Sequence, residues 1–187
     1  MANRYIRHEY MRYEIVSLET DYGDIVMWLY NQTPLHKANF LKLVKAGFYD
    51  NTIFHRVIND FVVQGGMPRN DWAGTPDLIN AEITDDLKHV YGAVGAARTA
   101  DEVNPERKSS GSQFYIVEDA NGEHGLDTAY TVFGQVIHGM DAVGAIAEVK
   151  TNSSGLPLEN VYLRKAEILM LTPEQLEKDY NVILQFQ

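Results

Sequence analysis

The sequence lacks cysteine and any long apolar run. Without cysteine, disulfides, cysteine nucleophiles and thiolate metal sites are excluded. No apolar run approaches the roughly 20 residues of a membrane helix, and the polar N-terminus has no apolar core like that of a secretory signal. We therefore expect a cytoplasmic chain outside the membrane. A periplasmic chain whose signal had been removed would read the same way.

Positive charge is also scarce. The chain has 16 Lys and Arg against 26 Asp and Glu, giving a net charge of −10. This balance argues against nucleic acid as a partner, because phosphate binding needs a cationic surface. The six histidines include no His-x-x-x-His pair, so no metal site is predicted. No serine lies in a Gly-x-Ser-x-Gly elbow, which disfavours a serine hydrolase.

The order of the predicted elements indicates one barrel domain over residues 13–171, after an N-terminal arm at 1–12. Residues 14–19 and 24–30 are predicted strands, and Thr33-Pro34 begins a helix that ends at Gly47. Residues 92–97 form a strand of small residues over which another group can lie closely. Residues 140–147 form a second helix. Many strands with two helices favour a closed antiparallel barrel.

Residues 172–187 form a C-terminal extension. It opens with Thr172-Pro173-Glu174-Gln175, which has the pattern of a capping box and predicts a short helix. An apolar tail follows the predicted helix. The extension either packs on the barrel or binds a partner, and packing is favoured.

The most informative stretch is residues 54–66, Phe-His-Arg-Val-Ile-Asn-Asp-Phe-Val-Val-Gln-Gly-Gly. Two apolar runs flank Asn59-Asp60, which suits a turn. Strand alternation places His55 on the opposite face from Arg56 and Phe54. It also separates Phe61 from Gln64. Arg56, Phe61 and Gln64 therefore meet only if the strands twist or the turn redirects one of them.

Two later blocks match this stretch, Gly-Ser-Gln-Phe at 111–114 and Val-Phe-Gly at 132–134. In their order and separation, the three blocks resemble a cyclophilin-type peptidyl-prolyl cis–trans isomerase, over residues 14–171. The choices at several positions resemble a bacterial member. The resemblance implies a mainly β fold, a closed eight-stranded antiparallel barrel capped by two α-helices. It implies no cofactor and no metal.

The resemblance also implies a site. The catalytic positions fall on Arg56, Phe61 and Gln64. The substrate-binding positions fall on Val62, Ala97, Arg98, Gln113, Tyr115, Leu126 and Tyr130. Three departures from the common eukaryotic pattern are a valine at 62 for methionine, an arginine at 98 for asparagine and a tyrosine at 130 for histidine. Gly125 stands where a tryptophan that helps to hold cyclosporin is often found, so binding of this drug is expected to be weakened.

The predicted reaction is rotation about an Xaa-Pro bond. The barrier is roughly 18–20 kcal/mol because rotation breaks amide resonance. Catalysis requires groups that bind the twisted amide better than the planar forms. A guanidinium is a rigid, permanently charged donor, so Arg56 is the candidate donor to the proline nitrogen. Phe61, Tyr115 and Leu126 would hold the proline ring. Gln113 and the backbone around Ala97-Arg98 would pair with the peptide.

Other interpretations stay open at this stage. Without the resemblance, a lone arginine on a strand is more often a surface ion-pair partner, and Phe61 and Tyr115 would be ordinary core. The same barrel could bind proline segments without turnover, or carry a small apolar ligand. The expected partners are proline-containing peptides and unfolded or flexible protein segments, which the isomerase would help to fold. Nothing in the sequence requires more than a monomer.

Overall fold

The computed structural model describes residues 12–183. Nine strands form one antiparallel sheet in the order β3-β9-β1-β2-β8-β6-β7-β5-β4. The strands are β1 (Tyr13–Thr20), β2 (Gly23–Leu29), β3 (Thr52–Ile53), β4 (Arg56–Ile58), β5 (Val62–Gly65), β6 (Ala93–Ala96), β7 (Phe114–Val117), β8 (Val132–His138) and β9 (Tyr162–Leu171). The helices are α1 (Pro34–Lys45), α2 (Met140–Ala147) and α3 (Pro173–Tyr180), with a 3₁₀ turn at His124–Leu126.

The two edge strands of this sheet are consecutive in the chain. Only Phe54 and His55 separate β3 from β4. The Phe54 N–H donates to the carbonyl of Val161, next to β9, and the His55 N–H donates to the carbonyl of Gln64 on β5. The curled sheet therefore returns to its starting edge, and the predicted mainly β antiparallel architecture is confirmed. The strand count exceeds the expected eight because one strand breaks where its pairing partner changes.

Helices α1 and α2 pack into the same apolar core. Phe40 and Val44 of α1, and Val143 and Ile146 of α2, belong to the buried cluster that also contains strand residues such as Val63. Each helix thus covers apolar side chains of the strands, and the two predicted helices are present. Within residues 12–183, no helix is both long and apolar enough to span a membrane.

The start of α1 is capped from a distant part of the chain. Thr33 is the N-cap residue, but its side chain makes no capping hydrogen bond. The Glu82 carboxylate instead accepts the backbone N–H groups of Leu35 and His36, each at 3.0 Å. The negative charge of this carboxylate also interacts favourably with the positive N-terminal end of the helix dipole. The helix start was thus predictable from Thr33-Pro34, whereas its capping group was not.

His36 links this cap to a serine. Its Nδ1 lies 2.6 Å from Glu82 Oε2, and its Nε2 lies 2.8 Å from Ser109 Oγ. The order Ser–His–Glu is that of a hydrolase triad, but Ser109 is only 1% exposed. Burial lowers the pKa of His36 despite the neighbouring carboxylate. These contacts therefore join α1 to the segment before β7 and form no accessible nucleophile.

The C-terminal extension packs on the outside of the barrel. Its predicted capping box is present, because Thr172 Oγ1 accepts the Gln175 N–H at 3.1 Å and Gln175 Oε1 accepts the Thr172 N–H at 2.9 Å. Leu176 is fully buried against Ile15 and Val26. Helix α3 thus covers β1 and β2. The predicted N-terminal arm, except Arg12, and the last residues of the tail lie outside the described residues.

Candidate active site

The central feature of the site is one row of residues across four strands. Arg56 on β4 pairs with Gln64 on β5, and Gln64 pairs with Tyr115 on β7. Tyr115 in turn pairs with Gly95 on β6. Directly opposed residues project from the same face of a sheet. The predicted side chains of Arg56, Gln64 and Tyr115 therefore lie side by side on this face. The next position in the row, Gly95, has no side chain.

The turn between β4 and β5 redirects Phe61 toward this row. The last paired residues of the hairpin are Ile58 and Val62, so Phe61 belongs to the loop and not to the alternating strand. Its carbonyl accepts the Glu118 N–H at 2.8 Å, which fixes the loop against the end of β7. The Arg56 guanidinium carbon lies 5.6 Å from the centre of the Phe61 ring. The turn therefore brings the Phe61 side chain next to Arg56, which strand alternation alone would not do.

A pocket with both apolar and polar side chains lies beside the row. Its volume is about 310 Å³, and its lining residues are Arg56, Phe61, Val62, Gln64, Ala97, Arg98, Tyr115, Leu126 and Tyr130. The rings of Tyr115 and Tyr130 meet edge to face at 6.1 Å. All the predicted site residues except Gln113 therefore line one pocket. Arg56 also lines a second, larger groove of about 730 Å³, whose other lining residues include Asn59, Glu148 and Asn152.

Gln113 lies next to the pocket through a polar chain. Gln64 Oε1 is 3.5 Å from Arg56 Nη1, and Gln64 Nε2 donates to Gln113 Oε1 at 3.3 Å. An amide both donates and accepts, so Gln64 can orient the guanidinium and a neighbouring amide together. The structure thus connects Gln113 to Arg56 without placing it in the pocket wall.

Alternation fails at Phe54 and His55. Phe54 is buried in the main core, whereas the His55 ring reaches Gln64, with its Nε2 3.4 Å from Gln64 Nε2. Strand alternation predicted that His55 points to the face opposite Arg56 and away from the site, and this prediction is therefore wrong. The cause is the break between β3 and β4, where the chain changes pairing partners. Burial lowers the pKa of His55, and the adjacent Arg56 charge acts in the same direction.

Arg98 lines the pocket, but its guanidinium is already engaged. Its Nε donates to Ala129 O at 2.8 Å, and its Nη1 lies 2.6 Å from a carboxylate oxygen of Asp101. The guanidinium carbon also lies 4.4 Å from the centre of the Tyr130 ring. Asp101 additionally pairs with Arg107 at 2.8 Å. The side chain of Arg98 thus contacts Tyr130 and, through Asp101, the segment after Arg98, instead of standing open to a peptide.

The backbone of Ala97 is already hydrogen-bonded within the protein. Its N–H donates to Gln113 O at 3.0 Å, and its carbonyl accepts the Ser110 N–H at 2.8 Å. The Ala97 N–H is consequently occupied within the protein. A peptide backbone would have to pair with the neighbouring Arg98 backbone, with Gln113 or with the remaining lone pair of the Ala97 carbonyl.

Gly95 was not among the predicted site residues, although a signal for it was present. It lies in the run of small residues at 92–97, which allows close approach. A Cβ atom on Gly95 would lie 2.3 Å from Tyr115 Cζ and 2.5 Å from its hydroxyl oxygen. The Tyr115 ring therefore lies directly over Gly95. The close approach predicted for this strand is present, and the group that uses it is Tyr115.

The sheet and its helices form a cyclophilin-like barrel with a pocket that Arg56 lines. Residues 15–168 match the family model described as cyclophilin type peptidyl-prolyl cis-trans isomerase. The chain belongs to this family of enzymes, which isomerise Xaa-Pro peptide bonds.

Curated relatives come from eukaryotes and bacteria. The chain is 37% identical to peptidyl-prolyl cis-trans isomerase cypE of Dictyostelium discoideum over 161 residues, covering 83% of this chain and 98% of the relative. It is 40% identical to a peptidyl-prolyl cis-trans isomerase of Acinetobacter baylyi over 148 residues, covering 76% of each. A solved Cryptosporidium parvum cyclophilin, crystallised in the presence of the dipeptide Ala-Pro, superposes with a TM-score of 0.74 at 28% identity. That match covers 83% of this chain and 98% of the other.

A methyl group on Gly95 should disturb the pocket specifically. In Gly95→Ala the new Cβ collides with the Tyr115 ring, which must move. We expect affinity for a proline peptide, measured by NMR titration, to fall about tenfold or more.

Gly144→Ala is the matched control, because a Cβ there meets nothing within 4 Å and lies inside helix α2. This variant should bind the peptide as the wild type does. Unchanged affinity in a folded Gly95→Ala variant would show that the position of the Tyr115 ring does not determine binding.

Proposed function

We propose that this chain catalyses Xaa-Pro rotation by holding the proline ring against the apolar side chains of the pocket while Arg56 donates a hydrogen bond to the proline nitrogen of the twisted amide. The observation that carries the proposal is that Arg56 lines the same pocket as Phe61, Tyr115 and Leu126. A charged donor thus stands beside apolar side chains in one pocket of about 310 Å³.

The chemistry requires no group transfer. As the amide twists, the proline nitrogen loses resonance with the carbonyl and becomes a hydrogen-bond acceptor. The Arg56 guanidinium stays charged and meets this nitrogen with donors in a fixed geometry. Only the twisted state offers that lone pair, so the interaction lowers the barrier without equally stabilising either planar isomer.

Gln64 and the Phe61 ring hold Arg56 ready for this role. The Gln64 carbonyl oxygen restrains one side of the guanidinium at 3.5 Å, and the Phe61 ring lies 5.6 Å away on another. Gln64 also contacts Gln113, which can bond the peptide backbone beside the proline. Arg56 lines both the pocket and the larger groove, so an extended peptide could contact both while its proline is bound.

The substrates proposed are exposed Xaa-Pro bonds in peptides and in unfolded or flexible protein segments. The Cryptosporidium cyclophilin was crystallised with Ala-Pro, a dipeptide of this class. Slow prolyl isomerisation limits the folding of many chains, so such an activity would assist folding. That the chain acts as a monomer and in the cytoplasm stays a prediction from the sequence.

Replacing Arg56 by alanine should separate catalysis from binding. We expect cis–trans exchange of a short Xaa-Pro peptide, measured by NMR exchange spectroscopy, to slow by about a hundredfold or more relative to the wild type. Peptide affinity should change much less, because the main interaction is formed in the twisted state.

Arg164→Ala is the control for loss of a positive charge. Arg164 lies on β9 and pairs with Asp21 at 2.6 Å, away from the pocket. Its removal should leave the exchange rate unchanged. An Arg56→Ala variant with wild-type exchange would refute the role of Arg56, and a wild-type protein that binds without accelerating exchange would favour a proline-recognition module.

We also propose that Gly125 lowers affinity for cyclosporin. A Cβ at this position would meet nothing within 4 Å, so the wall beside Leu126 is open. Gly125→Trp, whose Cβ meets no clash, should add an aromatic side chain beside Leu126 and raise cyclosporin affinity about tenfold or more, as measured by calorimetry. Gly125→Ala is the control and should bind as the wild type does. Equal affinity in Gly125→Trp and Gly125→Ala would refute the proposal.

A further inference from the structure

A buried hydrogen-bond chain runs behind the pocket and takes no part in the mechanism above. The Tyr115 hydroxyl lies 2.8 Å from His89 Nε2, and His89 Nδ1 lies 2.9 Å from Asp127 Oδ1. His89 is fully buried and Tyr115 is 4% exposed. Asp127 continues to the surface, where its Oδ2 lies 3.0 Å from Nδ1 of the exposed His124.

The chemistry of the chain assigns a direction to each hydrogen bond. Burial raises the pKa of Asp127, but hydrogen bonds from His89 and His124 outweigh it and lower the pKa to about 2. Asp127 is then an acceptor, so His89 donates to it through Nδ1–H. Burial lowers the pKa of His89, which leaves Nε2 without a proton. Burial raises the pKa of Tyr115, so its O–H remains a donor and its partner is His89 Nε2.

These hydrogen bonds connect the two elements that carry the pocket residues Tyr115 and Leu126. Tyr115 lies on β7, and Leu126 lies on the 3₁₀ turn immediately before Asp127. Asp127 Oδ1 also accepts the backbone N–H of His89 at 2.7 Å, and the His89 carbonyl accepts the Glu123 N–H at 2.7 Å. The segment that bears Leu126 is thus joined to His89 at both ends, and His89 is joined to Tyr115.

The same contacts hide the polar end of the tyrosine from the pocket. The Tyr115 ring lies over Gly95, and its hydroxyl passes across that strand to reach His89. The His89 imidazole also stacks on the Tyr115 ring at 5.9 Å and 13°. The hydroxyl is therefore hydrogen-bonded away from the pocket, which the Tyr115 ring lines. Without His89 the hydroxyl would be a buried polar group with no acceptor, which is costly.

We propose that His89 and Asp127 are positioning residues for the proline pocket, acting through Tyr115 and Leu126. The proposal rests on the proposed function, because it assumes that this pocket holds the proline ring. It assigns to the hydroxyl of Tyr115 a role that a phenylalanine could not fill here. Since the walls contact the ring in both planar and twisted states, loss of positioning should raise KM more than it lowers kcat.

A double-mutant cycle tests the proposal. The variants are Tyr115→Phe, which removes the hydroxyl and keeps the ring, His89→Gln, and the combination of both. We expect each single variant to lose about threefold to tenfold in kcat/KM, mainly through KM, which is the range of one buried hydrogen bond. The double variant should lose no more than the worse single variant, because both remove the same interaction. Tyr22→Phe, whose tyrosine is 46% exposed in a turn, is the control and should match the wild type.

Three outcomes of this cycle are informative. Losses that simply multiply in the double variant, or a Tyr115→Phe variant with wild-type KM, would overturn the proposal. If the wild type does not accelerate exchange, the proposed function fails by itself. Peptide dissociation constants of the same variants then test the positioning role, and unchanged constants would overturn it.

The tautomer of His89 provides a measurement that does not depend on activity. Long-range proton–nitrogen spectra near neutral pH should show His89 with a proton on Nδ1 and none on Nε2. Tyr115→Phe should shift the Nε2 resonance, because it removes the donor. A proton found on Nε2 would overturn the proposal, since that nitrogen could not then accept from Tyr115.

Discussion

The site depends on the register among β4, β5, β7 and β6. The same register that aligns Arg56, Gln64 and Tyr115 on the outer face also aligns a second row, which faces the core. That row consists of Val57, Val63, Ile116 and Val94, all 2% exposed or less. Burial of each such side chain contributes about 1.5–3 kcal/mol, whereas a slip of one residue would exchange the two faces. The stability of the core therefore sets the geometry of the site.

A rigid arrangement of this kind suits a reaction that needs no chemistry beyond rotation. The Arg56 donor must already point to where the lone pair of the proline nitrogen develops, because moving the donor during the reaction would cost part of the stabilisation of the twisted state. Several contacts supply this rigidity. Gln64 and Phe61 restrain Arg56, the Arg98 guanidinium fixes Tyr130, and the Tyr115 hydroxyl is bonded behind the pocket. Side chains that line the pocket are thus held by one another and, at Tyr115, by a histidine behind the pocket.

Much of this arrangement could be predicted from local sequence signals. Alternation correctly placed Val62 and Gln64 together, and the Asn59-Asp60 turn marked the point where Phe61 could be redirected. The run of small residues at 92–97 indicated close approach by another group, and Tyr115 is that group. The capping box at Thr172 marked the start of α3. Each of these features depends on a few neighbouring residues, so the local sequence is enough to predict it.

The features that were missed depend on distant partners. Phe54 and His55 break the alternation because the chain changes from β9 to β5 between them. Glu82 caps α1 by accepting the N–H of Leu35, which lies 47 residues earlier in the chain. The Ala129 carbonyl that accepts from Arg98 and the acceptor for the Tyr115 hydroxyl likewise lie far along the chain from these residues. Such contacts are determined by the folded arrangement, and no spacing in the sequence specifies them.

The most direct test of the account replaces Arg56 by lysine and measures both peptide exchange and peptide affinity by NMR. Lysine keeps the positive charge but lacks the rigid planar fork of donors that Gln64 and Phe61 hold in place. We predict that exchange of an Ala-Pro peptide slows by about tenfold or more in the Arg56→Lys variant, whereas its peptide affinity changes by less than about threefold. An Arg56→Lys variant that exchanges the peptide at the wild-type rate would contradict it, because positive charge alone would then suffice.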